Sequence, residues 1–377
     1  MSSSPPTASL SAALADTCRS GLLDLLKTVP DPRARRGRRH TLASVLAVGL
    51  AAVLGGARSF IAIGEWVAHQ PIETLRVLGV VGTAVPDEST IRRVFARLDA
   101  ELLDQYIGAL MWTRTHTAET RRVIALDGKT VRGARSKTTT APHLVAALDQ
   151  HTGTVIGQLA VTAKSNEIPA VQGLLELFDL TDVVVTVDAM HTQTGTAQQI
   201  TTAGGDYVFT VKANQPKLFA ACKNLPWEDV PSHTTTSRGH GRKATRTIKV
   251  TTAPAWVEFA GATQVAQLRR TVTRNSKKTV EVVYLITSAD HQAAPPATLA
   301  AWVQGHWGIE NRLHWVRDVT YDEDRSQVRT GNAPHVMATL RNTAISLLRL
   351  TGVENIAQRL RHHARDPETI FNLLLTS

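Results

Sequence analysis

Two short apolar runs that each end in an aspartate constrain the fold of this chain most strongly. Residues 121–127 read RRVIALD and residues 181–188 read TDVVVTVD. Brief runs rich in β-branched and aliphatic residues are typical of buried strands. We therefore predict two strands of one sheet, with Asp127 and Asp188 where the strands meet polar turn residues.

The segments around these runs alternate between strand and helix patterns. Residues 150–153 read QHTG, which is typical of a hairpin turn. Further strands are expected over 143–149, 154–161 and 207–211, and helices over 168–177 and 194–203. Alternation of this kind predicts an α/β core sheet.

Changes of pattern along the chain divide it into five regions. The spacing of apolar residues before residue 119 is helical, whereas Thr, Val and basic residues alternate between residues 245 and 287. The five regions are a disordered tail (1–12), a helical N-terminal domain (13–118), an α/β core (119–215 and 291–350), an inserted all-β segment (216–290) and a helical C-terminal tail (351–377).

Charge and cysteine content narrow the functional class. The 377 residues carry a formal net charge of +10, which favours a polyanionic partner such as nucleic acid or an anionic membrane surface. Cys18 and Cys222 are the only cysteines, which excludes a disulfide framework and a four-cysteine zinc site. This usage fits a reducing cytosol, and we expect a cytoplasmic protein associated with the nucleoid.

The most apolar stretch, residues 42–57, raises the question of a membrane span. It reads LASVLAVGLAAVLGGA and is shorter than the roughly 20 residues that a spanning helix needs. It also lies too far from the N-terminus to be a signal peptide. We expect a buried helix and no membrane association.

The aspartates at the strand ends suggest a metal site. Crowded carboxylates repel one another, and a divalent cation is the usual remedy. Asp127, Asp188 and Glu310 from a covering helix would form an oxygen site for Mg²⁺ that suits two-metal cleavage of a phosphodiester. The alternatives are ordinary turn chemistry at the aspartates and a solvated helix acid at Glu310.

A zinc site is the competing interpretation of the third region. Helical spacing places His306, Glu310 and His314 on one face. Because the histidines are eight residues apart, roughly 12 Å of helical rise separates them and one ion does not bridge them. We instead expect His191 and His314 to support the ligands.

We expect structural roles for an acidic cluster and two tryptophans near Glu310 in the sequence. The acidic cluster Asp318, Asp322, Glu323 and Asp324 is expected to be partly exposed and structural, with Arg325 and Arg329 as partners. Trp307 and Trp315 lie eight apart on one predicted helix, and we expect them in the core rather than stacked on bases.

Four motifs, taken in order, resemble the ISAs1 family of insertion-sequence transposases, including the H-repeat-associated proteins. They are IALDGKTVRG around Asp127, VVVTVDAMHTQ around Asp188, GDYVFTVKANQ at 205–215 and HWGIENRLHWVRDVTYDED at 306–324. The N-terminal motifs DPR at 31–33 and PDESTIRRVF at 86–95 are also similar. The resemblance runs from about residue 20 to about residue 350.

This resemblance implies a DDE transposase with an RNase H-like catalytic core in residues 119–215 and 291–350, and DNA-end binding by the helical domain 13–118. Asp127, Asp188 and Glu310 match the three catalytic, metal-binding acids, with Mg²⁺ as cofactor and Mn²⁺ as a substitute. The implied activity is phosphodiester hydrolysis at the element ends followed by strand transfer of the 3′-OH. The implied partners are double-stranded DNA, namely the terminal inverted repeats and target DNA, and a second copy of the chain in a homodimer bound to the ends.

One part of the resemblance departs from the related IS4-type signature. That signature has Tyr and Arg seven and four residues before its Glu, and Lys seven residues after it. The corresponding residues here are Val303, His306 and Arg317. Val303 has no polar chemistry, whereas His306 and Arg317 retain groups that suit a phosphate.

Basic and polar residues near the acids are the candidate DNA contacts. Side chains of these types contact the phosphate backbone in protein–DNA complexes. The alternative for each is a solvated surface charge. The candidates are Lys129, Arg132, Lys212, Asn214, Lys217, Arg238, Arg242, Lys243, His306 and Arg317.

Two other functions remain open at this point. The same core would serve a metal-dependent DNA nuclease that does not transfer strands. A non-catalytic DNA-binding descendant is the second alternative, although the presence of all three acids argues against decay.

Overall fold

The computed structural model describes residues 21–36, 38–116, 120–136, 140–162, 166–239 and 241–377. The tail predicted over residues 1–12 therefore lies outside the described residues. The chain divides into two compact units. The first unit comprises Met1–His116, Gly128–Ser165 and Ile309–Ser377, and the second comprises Thr117–Asp127 and Asn166–Gly308.

Helices and strands have the following bounds. The helices are α1 (Leu22–Thr28), α2 (Leu42–Leu54), α3 (Phe60–Ala68), α4 (Ile72–Val77), α5 (Glu88–Arg97), α6 (Ala100–Arg114), α7 (Glu167–Leu175), α8 (Thr194–Thr202), α9 (Pro216–Lys223), α10 (Pro296–His306), α11 (Ala333–Leu350), α12 (Ile356–His363) and α13 (Glu368–Leu375). The strands are β1 (Arg122–Thr130), β2 (His143–Asp149), β3 (Thr154–Ala160), β4 (Val183–Val187), β5 (Asp206–Val211), β6 (Ser232–Gly239), β7 (Arg242–Thr252), β8 (Gln264–Arg274) and β9 (Lys277–Thr287).

The N-terminal region is helical, as the apolar spacing predicts. Several of its helices begin at a residue whose side chain accepts a hydrogen bond from a backbone N–H of the first turn. Thr41 caps α2, Asp87 caps α5 and Asp99 caps α6. Local sequence therefore sets where these helices start.

Helix α2 contains most of the apolar stretch that raised the question of a membrane span. Nearly all of its residues are buried, as expected for a helix that is apolar on every side and lies in a protein core. Within the part of the chain that the structure describes, no helix is long and apolar enough to cross a bilayer.

A β-hairpin packs against helices in the first unit. Strands β2 and β3 pair antiparallel, and Asp149 accepts hydrogen bonds from the backbone and hydroxyl of Thr152 in the turn. Helix α6 approaches β3 so closely that a Cβ on Gly108 would lie 2.7 Å from the Ile156 carbonyl oxygen. Helix α11, buried over most of its length, packs against β3 and α6.

A mixed sheet forms the centre of the second unit. Strand β4 pairs parallel with β1 on one side and with β5 on the other. Strand β5 then pairs antiparallel with β9, and the antiparallel order β9–β8–β7–β6 completes this part of the sheet. The α/β interpretation of the sequence is therefore confirmed at this level.

The segment from residue 216 to residue 290 differs from the all-β insert that the sequence suggests. It opens with helix α9, and strand β6 was not among the expected strands. Helix α10 covers one face of these strands, where its residue Leu299 lies in a buried cluster with Ile248 and Leu268. Val303 packs against the same cluster, which explains an apolar residue at this position.

Candidate functional site

Asp127 and Asp188 come from neighbouring parallel strands of the second unit. The register pairs Leu126 of β1 with Val187 of β4, so the two aspartates occupy the next position on each chain. Neighbouring strands lie about 4.8 Å apart. The structure therefore brings together the two acids that the sequence places at strand ends, although β1 continues to Thr130 instead of turning at Gly128.

The Asp188 carboxylate lies in a partly exposed, electropositive environment. Lys212 Nζ lies 3.3 Å from Asp188 Oδ1, and both side chains are more than half exposed. Burial alone would raise the pKa of Asp188, but the Ala189 backbone N–H, Lys212 and His306 together hold it below its ordinary value. Asp188 is thus ionised at neutral pH.

The loop after β5 holds the loop that carries Asp188. Asn214 Nδ2 donates a hydrogen bond of 2.9 Å to the Ala189 carbonyl, and Gln215 Nε2 donates one of 2.7 Å to the Thr192 carbonyl. The structure thus shows Asn214 bonded to the backbone next to Asp188, a contact that the sequence-based list of DNA contacts did not foresee.

Two histidines lie near Asp188 in the second unit. His306, at the end of α10, places Nδ1 3.0 Å from the Thr186 hydroxyl, two residues before Asp188. His191 is buried, and its Nε2 lies 2.9 Å from Glu167 Oε2. The partner of His191 is thus Glu167 of α7, and the supporting role expected for His191 stays a prediction.

Glu310 and His314 lie in the first unit on π-helical turns, which span Ile309–His314 and Val316–Thr320. Such turns are rare and occur frequently at functional sites. His314 Nδ1 lies 3.5 Å from Glu310 Oε2. Burial lowers the pKa of His314, and although Glu310 opposes this shift, Arg317 and Lys129 add to it, so the imidazole is neutral at pH 7.

Within the first unit, Glu310 and His314 each offer one ligand atom to a metal ion. A carboxylate oxygen suits Mg²⁺ or Mn²⁺, whereas a neutral imidazole is a softer donor that favours transition-metal ions. In the second unit, the carboxylates of Asp127 and Asp188 are hard oxygen donors of the same type as Glu310.

These donors fit a divalent ion, but His314 was not among the expected ligands. It offers a ligand atom, whereas the sequence predicts only a supporting role for it. Its position four residues after Glu310 was the available signal.

Lys129 and Arg132 pair with acids of the first unit. Lys129 Nζ lies 2.6 Å from Asp318 Oδ1, and the Lys129 side chain is largely buried. Arg132 is exposed, with Nη1 3.5 Å from Asp324 Oδ2. Of these two predicted DNA contacts, Arg132 is the more accessible.

Arg317 requires a correction. It is fully buried, and its guanidinium donates to both carboxylate oxygens of Glu323 at 2.8–3.1 Å. Arg341 donates to the same carboxylate at 2.9 Å. A guanidinium enclosed in this way has no surface for DNA, so the structure does not support the phosphate contact expected at Arg317.

The pairing expected for the acidic cluster is confirmed for Arg325, which lies 3.8 Å from Asp322. Arg329 instead donates to the Gly133 carbonyl. Glu323 is buried and binds Arg317 and Arg341, a pairing that the sequence did not predict.

The remaining candidate contacts lie on the surface. Lys212, Lys217, Arg238, Arg242 and Lys243 are exposed, and Arg238 lies directly opposite Lys243 on the paired strands β6 and β7. The core position expected for Trp307 and Trp315 is wrong, because each is 55% exposed.

Family membership follows from the sequence relatives of this chain. Residues 118–347 match the family model described as Transposase DDE domain, and residues 23–111 match a model described as associated with that domain. The first match spans more than half of the chain, so the chain belongs to the transposase DDE domain family.

Curated relatives cover most of the chain. YncI of Escherichia coli O157:H7, named as a candidate transposase, is 33% identical over 87% of this chain and 87% of its own length. YhhI of Escherichia coli K12, named as an H repeat-associated candidate transposase, is 31% identical over 94% of this chain and 98% of its own length. The protein is therefore a transposase of the DDE type.

One solved structure gives a weaker likeness. The piggyBac transposase synaptic complex with hairpin DNA aligns with 97% of this chain and 79% of that chain, with a TM-score of 0.41 and 11% identity.

Proposed function

We propose that this transposase is an active enzyme of the ISAs1 family with an RNase H-like core. Its activity is divalent-metal-dependent hydrolysis of a phosphodiester at the ends of an insertion sequence, followed by transfer of the freed 3′-OH to target DNA. The observation that supports this best is the pair of acids Asp127 and Asp188 on neighbouring strands of the second unit, together with Glu310 and His314 on the π-helical turns of the first.

The acids suit Mg²⁺, with Mn²⁺ as a substitute. In this proposal Asp127, Asp188 and Glu310 hold the ions, and His314 adds a nitrogen ligand beside Glu310. When bound, the ions activate an attacking oxygen and stabilise the leaving oxygen of a phosphodiester. The Ala189 backbone N–H and Lys212 lower the pKa of Asp188, and burial lowers the pKa of His314, so both groups favour the deprotonated forms that metal ligands need.

The exposed basic residues serve the DNA in this proposal. Lys212, Lys217, Arg132 and Arg242 are exposed, His306 is half-buried, and all five offer donors to phosphates. The partners are the terminal inverted repeats and target DNA, with the chain acting as a homodimer on the ends. We place this activity in the cytoplasm, on the DNA of the nucleoid.

A cleavage assay tests the proposal directly. The substrate is a labelled duplex that carries the inverted repeat flanking the gene of this protein, incubated with the full-length chain and Mg²⁺ or Mn²⁺. We expect cleavage by the wild type, none by Asp188→Ala, and equal duplex binding by both. Asp179→Asn, an exposed aspartate before β4, is the matched control and should cleave normally.

A second substrate separates the competing functions. With a pre-cut end and a target plasmid, a transposase joins the 3′-OH to the plasmid. Cleavage of the first duplex without joining of the second would make the chain a nuclease. Binding of the ends without cleavage in either metal would make it a non-catalytic DNA-binding protein.

A further inference from the structure

The four long strands β6 to β9 present two different basic faces. Residues directly opposite on antiparallel strands share a face, and residues two apart on a strand do as well. Arg246 of β7 lies opposite Arg270 of β8, and two positions along the register Ile248 lies opposite Leu268. Ile248 and Leu268 belong to the cluster that α10 covers, so Arg246 and Arg270 lie on the α10 face.

The other face carries a separate basic pair. Arg238 and Lys243 lie opposite each other at the alternate register position, so they belong to the face turned away from α10, the outer face. Tyr284 lies on this outer face and packs against Phe219 of α9 and Trp227. The two faces therefore present their charges to opposite sides of the sheet.

Guanidinium groups crowd together on the α10 face. Partial burial lowers the pKa of Arg246, and the charges of Arg270 and Arg242 lower it further. One acid lies opposite Arg270, since Glu281 Oε2 is 3.7 Å from Arg270 Nη1, but more than half of the Glu281 side chain is exposed. Mutual repulsion among the arginines makes this face favourable for an anion that bridges several of them.

Side-chain contacts connect the α10 face with the strand that precedes Asp188. The Arg270 guanidinium carbon lies 5.8 Å from the centre of the exposed Trp307 ring, a cation–π contact. Trp307 directly follows His306, whose ring lies 3.0 Å from the Thr186 hydroxyl, two residues before Asp188. Trp307 and His306 thus connect Arg270 to Thr186, on the strand that ends just before Asp188.

We propose that the α10 face, through Arg242, Arg246 and Arg270, binds successive phosphates of double-stranded DNA, and that the outer-face pair Arg238 and Lys243 does not. This inference rests on the proposed function and adds to it which side of the strands the DNA follows. Successive phosphates are the anion that suits a row of fixed cations, because each guanidinium donates two hydrogen bonds in a plane.

Matched double variants of the full-length chain test this choice of face. Arg246→Gln with Arg270→Gln removes two charges from the α10 face, and Arg238→Gln with Lys243→Gln removes two from the outer face. The probe is a fluorescent 40-base-pair duplex of arbitrary sequence, titrated between 50 and 300 mM salt. Because net charge changes equally in both variants, a difference between them reports position.

We expect the α10-face variant to lose affinity and salt dependence. Two lost phosphate contacts reduce the slope of log K against log salt by about 1.8, which corresponds to a loss on the order of 60-fold at 0.1 M salt. The outer-face variant should keep the wild-type slope and bind within about twofold of the wild type, since solvated charges away from the duplex contribute little.

A second double variant controls for misfolding, which is needed because Arg246 is half-buried. Arg242→Gln with Arg274→Gln, opposite each other and exposed on the same face, should lower the slope in the same direction. Equal losses in the α10-face and outer-face variants, or a larger loss in the latter, overturn the inference while leaving DNA binding intact. A wild-type chain that does not bind the duplex overturns the proposed function as well.

Discussion

Two glutamates of the first unit, Glu310 and Glu323, have opposite environments. Glu323 is fully buried and shares its carboxylate between Arg317 and Arg341. The Glu310 side chain is 57% exposed, and His314 lies 3.5 Å from its carboxylate. The carboxylate of Glu323 is therefore enclosed by the protein, whereas the carboxylate of Glu310 is accessible to solvent.

This difference separates a charge that holds the fold from one that faces solvent. A buried carboxylate is tolerated only with strong internal partners, because removing it from water costs several kcal/mol. An accessible carboxylate stays hydrated and can bind a ligand from outside the chain. We therefore expect changes at Glu323 to act on stability and changes at Glu310 to act on catalysis.

The largest expected effect is on cleavage at Glu310. Glu310→Gln keeps the shape of the side chain and removes the charge, so the rate should fall by about three orders of magnitude, the equivalent of about 4 kcal/mol. The unfolding midpoint should stay close to that of the wild type, since surface changes are usually within about 0.5 kcal/mol. A large drop in the unfolding midpoint would show that Glu310, like Glu323, contributes to stability, and would contradict this prediction.

The converse change at Glu323 should act on stability. Removing one partner of a buried ion pair costs about 3–5 kcal/mol, because the remaining charges lose their compensation. Urea unfolding of Glu323→Gln, monitored by circular dichroism, should show a loss of this size. The matched control is Asp322→Asn, a half-buried neighbour whose left-handed backbone Asn also adopts, and it should change stability little.

The pH dependence of stability sharpens the same comparison. Burial alone would raise the pKa of Glu323, but Arg317 and Arg341 lower it from 4.5 to about 2. The folded state thus binds this proton less readily than the unfolded state, so the stabilisation is present above pH 4.5 and disappears as pH falls toward 2.

Measurement at two pH values checks this sign. Between pH 5 and pH 3 the Glu323 carboxylate should account for a loss of about 2 kcal/mol in the wild type, at about 1.4 kcal/mol per pH unit below the unfolded pKa. The stability gap between wild type and Glu323→Gln should narrow by that amount. A constant gap would contradict the depressed pKa of Glu323.

Local pattern was sufficient to predict the strands that carry Asp127 and Asp188. Strand length, β-branched residues and turn residues are encoded within a few positions, and the expected hairpin at 143–161 agrees with β2 and β3. The two aspartates then meet because parallel strands β1 and β4 are in register. Here sequence periodicity and tertiary structure agree.

Local pattern failed around Glu310 for a geometric reason. The interpretation of Trp307 and Trp315 assumed one α-helix at 3.6 residues per turn, whereas wider π-helical turns follow from Ile309. Both tryptophans are exposed in the structure. The burial of Arg317 likewise depends on Arg341 and Glu323, a tertiary contact with α11 that no short spacing encodes.

A smaller effect on cleavage is expected at His314. This residue is buried, as Glu323 is, but it contacts the exposed Glu310. If it binds the ion, His314→Gln should slow cleavage about 10- to 100-fold, the usual range for ligand-supporting changes. The loss should be greater with Mn²⁺ than with Mg²⁺, because the imidazole nitrogen is the softer donor. Equal losses in both metals would leave His314 as a support for Glu310.

The smallest expected effect is at Asn214, and it tests whether a residue near the acids binds DNA or positions the chain. Asn214→Ala removes the 2.9 Å hydrogen bond to the Ala189 carbonyl, a contribution of about 1 kcal/mol. The loop that carries Asp188 should loosen, so cleavage should slow about fivefold while duplex affinity and its salt slope stay unchanged. Lys217→Ala, exposed and close by in the chain, is the comparison variant and should lower affinity without slowing the bound complex. If Asn214→Ala instead weakens DNA binding and leaves the rate at saturating DNA intact, Asn214 is a phosphate contact, as its sequence suggests.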